Sequence, residues 1–156
     1  MMKKILFGLI VCAILFAMTG VVSACTPAYC KVTGGGIVAD EICEIKYTVT
    51  FNAKGTCSLY PNAEICNSKD GVQGKVTIVN HNTKDKYDLA VVSIEYFGGG
   101  GGVMLLLDNN HELTVYDHGE GKGSADRVDY NLKGAGAYTF TGDLSGNAQV
   151  RITEAT

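Results

Sequence analysis

Alternation of apolar and polar residues with a period of two is what most restricts the fold of this chain. Ile45, Tyr47, Val49 and Phe51 share one face, with Lys46, Thr48 and Thr50 on the other. Val76 and Ile78 alternate with Lys75 and Thr77, and Ala90, Val92, Ile94 and Tyr96 oppose Ser93 and Glu95. Val128, Tyr130 and Leu132 oppose Arg127, Asp129 and Asn131; Tyr138, Phe140 and Leu144 oppose Thr139 and Thr141. Val150 and Ile152 flank Arg151, and Leu113 and Val115 give a shorter match. This is the pattern of antiparallel strands with one face buried and one wet. The run 103–107 is apolar throughout and reads as a strand buried on both faces.

Turn chemistry separates the runs. The chain has 20 Gly and only 2 Pro, which suits strands joined by tight turns. Turn signals fall at 67–71, at 80–88, at the five consecutive glycines 98–102, and at Asp108-Asn109-Asn110, Gly134-Ala135-Gly136 and Ser145-Gly146-Asn147. About eight or nine strands at short spacing result. The expected fold is all-β, a single antiparallel β-sandwich or small barrel. No amphipathic helix, linker or internal repeat interrupts it.

The N-terminus is of another kind. Lys3 and Lys4 precede an apolar run from Ile5 to Met18, and small residues follow at Ser23 and Ala24. Residues 1–24 read as a signal segment, leaving 25–156 as one extracytoplasmic domain. Val22-Ser23-Ala24-Cys25 suits an ordinary signal-peptidase site, but it also resembles a lipobox in which Cys25 becomes the lipidated first residue. An uncleaved membrane anchor is the third reading. Each places the domain outside the cytoplasm, released or held to the membrane.

Cysteine parity bears on that choice. Beyond the leader stand Cys25, Cys30, Cys43, Cys57 and Cys66, an odd number. Lipid on Cys25 leaves four for two disulfides, and four allow three pairings. Cys57 with Cys66, across a loop containing Pro61, and Cys30 with Cys43, across the first hairpin, are the favoured pairs. No gap among them has the two-residue spacing of a zinc site.

Charge excludes one partner class. Without Lys3 and Lys4, eleven Lys and Arg face sixteen Asp and Glu, a formal charge of −5. That is no footprint for nucleic acid. Trp is absent, which weakens comparison with sugar-stacking modules, although eight Tyr remain.

Five short motifs follow one another along the chain. They are Thr33-Gly34-Gly35-Gly36-Ile37, Val49-Thr50-Phe51-Asn52-Ala53-Lys54, Val79-Asn80-His81, Asp117-His118-Gly119-Glu120-Gly121 with Asp126 beyond, and Gly142-Asp143-Leu144-Ser145-Gly146-Asn147-Ala148-Gln149-Val150. In this order the chain resembles the post-COAP domain, a secreted bacterial and archaeal module, over most of 33–152. The cysteine-bearing insert 57–66 lies outside the pattern. The resemblance implies an extracellular all-β module and transfers no active site.

Asp117, Glu120 and Asp126 in a glycine-rich stretch are the candidate ligands for Ca²⁺, which prefers hard oxygens. The alternative is a polar loop whose carboxylates cap turns. His81, His111 and His118 fall in three separate predicted loops, which suits solvated histidines better than a shared metal. No Ser has the Gly-x-Ser-x-Gly frame, and residues 98–102 lack the Gly-Lys-Ser/Thr of a phosphate loop. Tyr47, Tyr96, Tyr130 and Tyr138 fall on apolar faces and are expected in the core. The expected function is therefore non-enzymatic: a secreted or surface-anchored adhesion or envelope interaction module with a protein or surface-polymer partner. A small-ligand or inhibitor-like envelope barrel is the second reading, and a hydrolase using carboxylates within 117–129 the third.

Overall fold

A computed structural model describes residues 28–41, 43–60, 71–97, 102–119, 125–132 and 139–154. Within them lie nine strands: β1 (Ala28–Ala39), β2 (Lys46–Tyr60), β3 (Gln73–Asn80), β4 (Lys86–Phe97), β5 (Gly102–Leu107), β6 (His111–Tyr116), β7 (Arg127–Leu132), β8 (Thr139–Asp143) and β9 (Asn147–Glu154). One 3₁₀ turn, Asp108–Asn110, joins β5 to β6, and the described residues contain no α-helix. The leader 1–24, Cys25, Cys66 and Glu120 lie outside the described residues.

The strands form one sheet in the order β8-β7-β6-β5-β4-β3-β2-β1-β9. All neighbours in that order are antiparallel. β2 and β4 add a parallel pairing, Cys57–Tyr60 against Ile94–Phe97, beyond the start of the shorter β3. The two outer strands of this order, β8 and β9, follow each other in sequence through residues 144–146. Laid flat, nine strands would hold them roughly 38 Å apart. Three connecting residues reach at most about 14 Å. The sheet must therefore roll up, and it does.

The seam stops short of full closure. Val38 and Leu144 form a single bridge. Ser145 N–H donates to Ile37 O at 2.9 Å, and Glu41 N–H donates to Thr141 O at 3.2 Å. The Ile37 amide in turn donates to Ser145 Oγ at 2.9 Å. Glycine makes this approach feasible, because a Cβ on Gly146 would collide with the carbonyl oxygen of Gly35. The glycine motifs at 34–36 and 142–146 thus build the seam.

The interior is filled by side chains. Val49, Phe51, Val76, Ile94, Leu105 and Val115 are buried from strands all round the sheet. Rings from opposite sides of the seam meet there: Tyr47 stacks on Phe140 at 4.3 Å, and Tyr130 lies 5.1 Å from the same ring. Tyr47, Tyr96 and Tyr130 are in the core as expected, while Tyr138 lies outside the described residues.

Two face assignments differ from the sequence reading. The register of β4 shifts between Val91 and Ser93. Leu89 and Val91 therefore point inward before the shift, Ile94 and Tyr96 after it, and Val92 is left 41% exposed. A bulge adds one residue and resets parity, which a strict period-two count cannot see. The apolar run 103–107 alternates too, with Val103, Leu105 and Leu107 buried and Met104 and Leu106 half-buried on the outer face.

The disulfide also differs. Cys30 is joined to Cys57, with Cα atoms 5.7 Å apart. Register explains it: Cys30 faces Gly55 and Cys57 faces Ala28, so the two cysteines are diagonal neighbours on the buried face. The expected pairs of Cys30 with Cys43 and Cys57 with Cys66 are not formed. Cys43 is exposed and free in the turn beyond Ala39, roughly 30 Å along β1 from Cys30. The stretch read as the start of a polar loop, Cys57 to Tyr60, continues β2 instead.

Candidate functional site

Two of the three expected calcium ligands, Asp117 and Asp126, accept hydrogen bonds from backbone amides. Asp126 is buried, and its Oδ1 accepts the His118 amide at 3.0 Å while Oδ2 accepts the Ala148 amide at 2.6 Å. Asp117 Oδ1 accepts from Gly119 N–H at 2.9 Å and Oδ2 from Val150 N–H at 2.8 Å. Both carboxylates thus reach the outer edge of β9 and occupy two of its amide donors. That protects an edge strand from pairing with another chain. Among the described residues no group of three or more His, Cys, Asp and Glu is placed to hold a metal ion.

The histidines are dispersed. His81 Nε2 shares a hydrogen bond with Thr48 Oγ1 at 2.7 Å, and His111 Nδ1 shares one with Tyr130 Oη at 2.8 Å. His118 Nδ1 donates to Ala125 O at 2.6 Å. Two of the three expectations of a loop position hold; His111 instead opens β6. Asn80 anchors the β3–β4 turn, its Oδ1 accepting the Asn82 and Thr83 amides at 2.8 and 3.2 Å.

A different set of residues comes together on the outside of the rolled sheet. Register places Glu95, Met104, Thr114, Asp129 and Thr141 in one row across β4 to β8. Leu106, Glu112 and Asn131 form the next row. Glu112, Thr114, Asp129, Asn131 and Thr141 line a groove of about 370 Å³, with Tyr130 beneath. On the other side of Thr114 the row contains Gly102, Tyr116, Arg127 and Asp143.

Aromatic rings continue that last row. Tyr60 lies edge-on to Phe97 at 5.2 Å. Phe97 and Tyr116 are 6.3 Å apart with planes 12° from parallel, and Tyr116 and His118 are 6.4 Å apart at 13°. Gly102 permits this, since a Cβ there would meet Phe97 Cδ2 at 2.8 Å and Tyr116 Cδ1 at 3.3 Å. Tyr60 is 46% exposed and His118 is exposed, while Phe97 and Tyr116 are half-buried. The rings thus form a ledge along one side of the polar groove.

Arg127 organises the charges. Its Nη1 donates to Glu41 Oε1 at 2.8 Å, its Nη2 to Thr141 Oγ1 at 2.6 Å, and its Nε lies 3.3 Å from Asp129 Oδ1. Thr141 Oγ1 then donates to the same Asp129 oxygen. The hydrogen bond to Glu41 is the main reason the guanidinium is held still more firmly in its charged form. Burial, with the Asp129 charge and hydrogen bond, raises Tyr116 above an ordinary phenol. Glu95 is only 6% exposed, and burial followed by the nearby Glu112 charge raises it above an ordinary carboxyl.

Sequence reading missed this set for a definite reason. Glu95, Thr114, Tyr116 and Asp129 occupy the polar positions of alternating strands and look like solvated surface. Only the register brings them side by side. The available signal was Tyr116, an aromatic at an outward position next to Val115.

No family model matches the chain, and neither a curated protein nor a solved structure does.

Proposed function

We propose that this chain is a non-enzymatic binding module of the cell exterior, and that its contact face is the outer surface of β4 to β8 around Tyr116. The observation that carries this reading is an aromatic ledge beside a polar groove, with Tyr116 of the ledge two residues along β6 from Thr114 of the groove. Rings combined with hydrogen-bonding side chains are what recognition surfaces favour. The Cys30–Cys57 bridge is compatible with an oxidising compartment. A signal segment at 1–24 with lipid at Cys25 fits the leader, and the ordered glycine motifs fit a post-COAP-like extracellular module.

The filled interior favours an outside partner over an enclosed small ligand. Asp117 and Asp126 hold β9, and Asp129 is held by Arg127, so these three carboxylates serve architecture before acid–base chemistry.

The test is sedimentation of labelled protein with envelopes of the source cells. Phe97→Ala with Tyr116→Ala should weaken binding at least about tenfold, as loss of aromatic hot-spot contacts does. Tyr87→Ala should leave it unchanged, because Tyr87 lies roughly 30 Å from Phe97 along β4. Equal losses from both variants would refute the assignment of the face.

A further inference from the structure

We propose that the ledge and groove bind a neutral polysaccharide strand, a proposal that rests on the outer-face reading above. A sugar ring is amphipathic: its C–H face packs on an aromatic ring, and its hydroxyls both donate and accept hydrogen bonds. The protein offers both halves side by side. Phe97, Tyr116 and His118 present near-parallel rings in two steps of 6.3 and 6.4 Å, which suits a chain of sugars better than a single one. Next to them, the groove is lined by the Glu112 carboxylate, the Thr114 hydroxyl and the Asn131 amide, while the Thr141 hydroxyl is held by Arg127 and Asp129.

Charge narrows the class. Glu112 lines the groove, and beside it Arg127 is shared among Asp129, Glu41 and Asp143, so carboxylates outnumber cations here and a uronate or phosphate polymer, including nucleic acid, is disfavoured. The Asp129 charge is already met by Arg127, whose other partners are Glu41 and, at 4.0 Å, Asp143. The groove therefore favours hydroxyl-rich ligands over strongly cationic ones. A peptide adding as a further strand at β9 would find the amides of Ala148 and Val150 already taken by Asp126 and Asp117.

Two measurements on the full chain test this. In the first, the protein is titrated with cello-, malto-, xylo- and chito-hexaose and with polygalacturonate. Binding to at least one neutral hexaose and none to polygalacturonate is expected. Tyr116→Ala should weaken that binding at least about tenfold and Tyr116→Phe should retain it, because stacking needs the ring and not the hydroxyl. Circular dichroism confirms that both variants are folded. Equal binding by wild type and Tyr116→Ala would overturn the proposal. In the second, envelopes are treated with periodate, which destroys vicinal diols, or with protease. Loss of binding after periodate alone supports the glycan. Loss after protease alone overturns the glycan while leaving the contact face intact. Tyr116-independent binding would overturn both.

Discussion

Asp126 accepts the backbone amide of Ala148 through one carboxylate oxygen, 2.6 Å away, and thereby ties the β6–β7 connection to the edge of the last strand. The same side chain accepts the His118 amide through its other oxygen. One buried carboxylate thus joins a connection outside the sheet ladder to the edge of β9 that faces away from β1. Asp126→Ala leaves both amides without an acceptor. It should cost about 2–3 kcal/mol in a chemical denaturation curve and speed amide exchange at Ala148 well before that at Val49. Unchanged exchange at Ala148 would contradict the tie.

The seam should be intolerant of volume. Gly146→Ala forces a methyl against the Gly35 carbonyl and must push β9 from β1. A loss of about 1–3 kcal/mol is expected from such overpacking. Gly71→Ala is the control for space, since nothing lies within 4 Å of its Cβ position, although its φ of 87° adds strain of its own. A thermal melt in which Gly146→Ala matches wild type would show that the seam is looser than described.

Thiol accessibility tests the disulfide. In the native, oxidised protein an alkylating reagent should label Cys43. Cys30 and Cys57 should react only after reduction, and reduction should cost about 3.5 kcal/mol of stability for a loop of this length, separation 27. Labelling of Cys30 without reductant would contradict the pairing.

Two carboxylates should tie stability to pH in opposite directions. Glu95 is raised in the folded protein, so the fold binds its proton more tightly than the unfolded chain does. Its contribution is unfavourable at neutral pH and is relieved as pH falls toward the unfolded value. Glu95→Gln should therefore raise the melting temperature at pH 7, with the gain shrinking toward pH 4. Asp88 is lowered to about 2 by the Thr77 hydrogen bond and by Lys86 and Lys75. Its contribution is present above its unfolded value near 3.8 and is lost as pH falls toward 2. Asp88→Asn should remove that acid limb, and a melting curve with the same slope below pH 4 would contradict it.

Much of the fold was legible because burial in a one-sided sheet writes a period of two into the chain. Tyr47, Val49, Phe51, Val76, Ile78, Leu113, Val115, Val128 and Phe140 are all inside where the alternation places them. What escaped was set by non-local geometry. The bulge at Val92 depends on how β4 meets β5, and the Cys30–Cys57 bridge depends on how β1 registers against β2. Neither leaves a local mark. The candidate site is the extreme case, since Tyr60, Phe97, Tyr116 and Asp129 come from four strands and share nothing in sequence but an outward position.

The most direct measurement is hydroxyl-radical footprinting of the protein free and bound to source-cell envelopes. The outer-face account predicts protection of Tyr60, Phe97, Tyr116 and His118, with Tyr87 and Ile37 oxidised at the same rate in both states. Protection centred on Tyr87 or Ile37, with the four ledge residues unchanged, would contradict it.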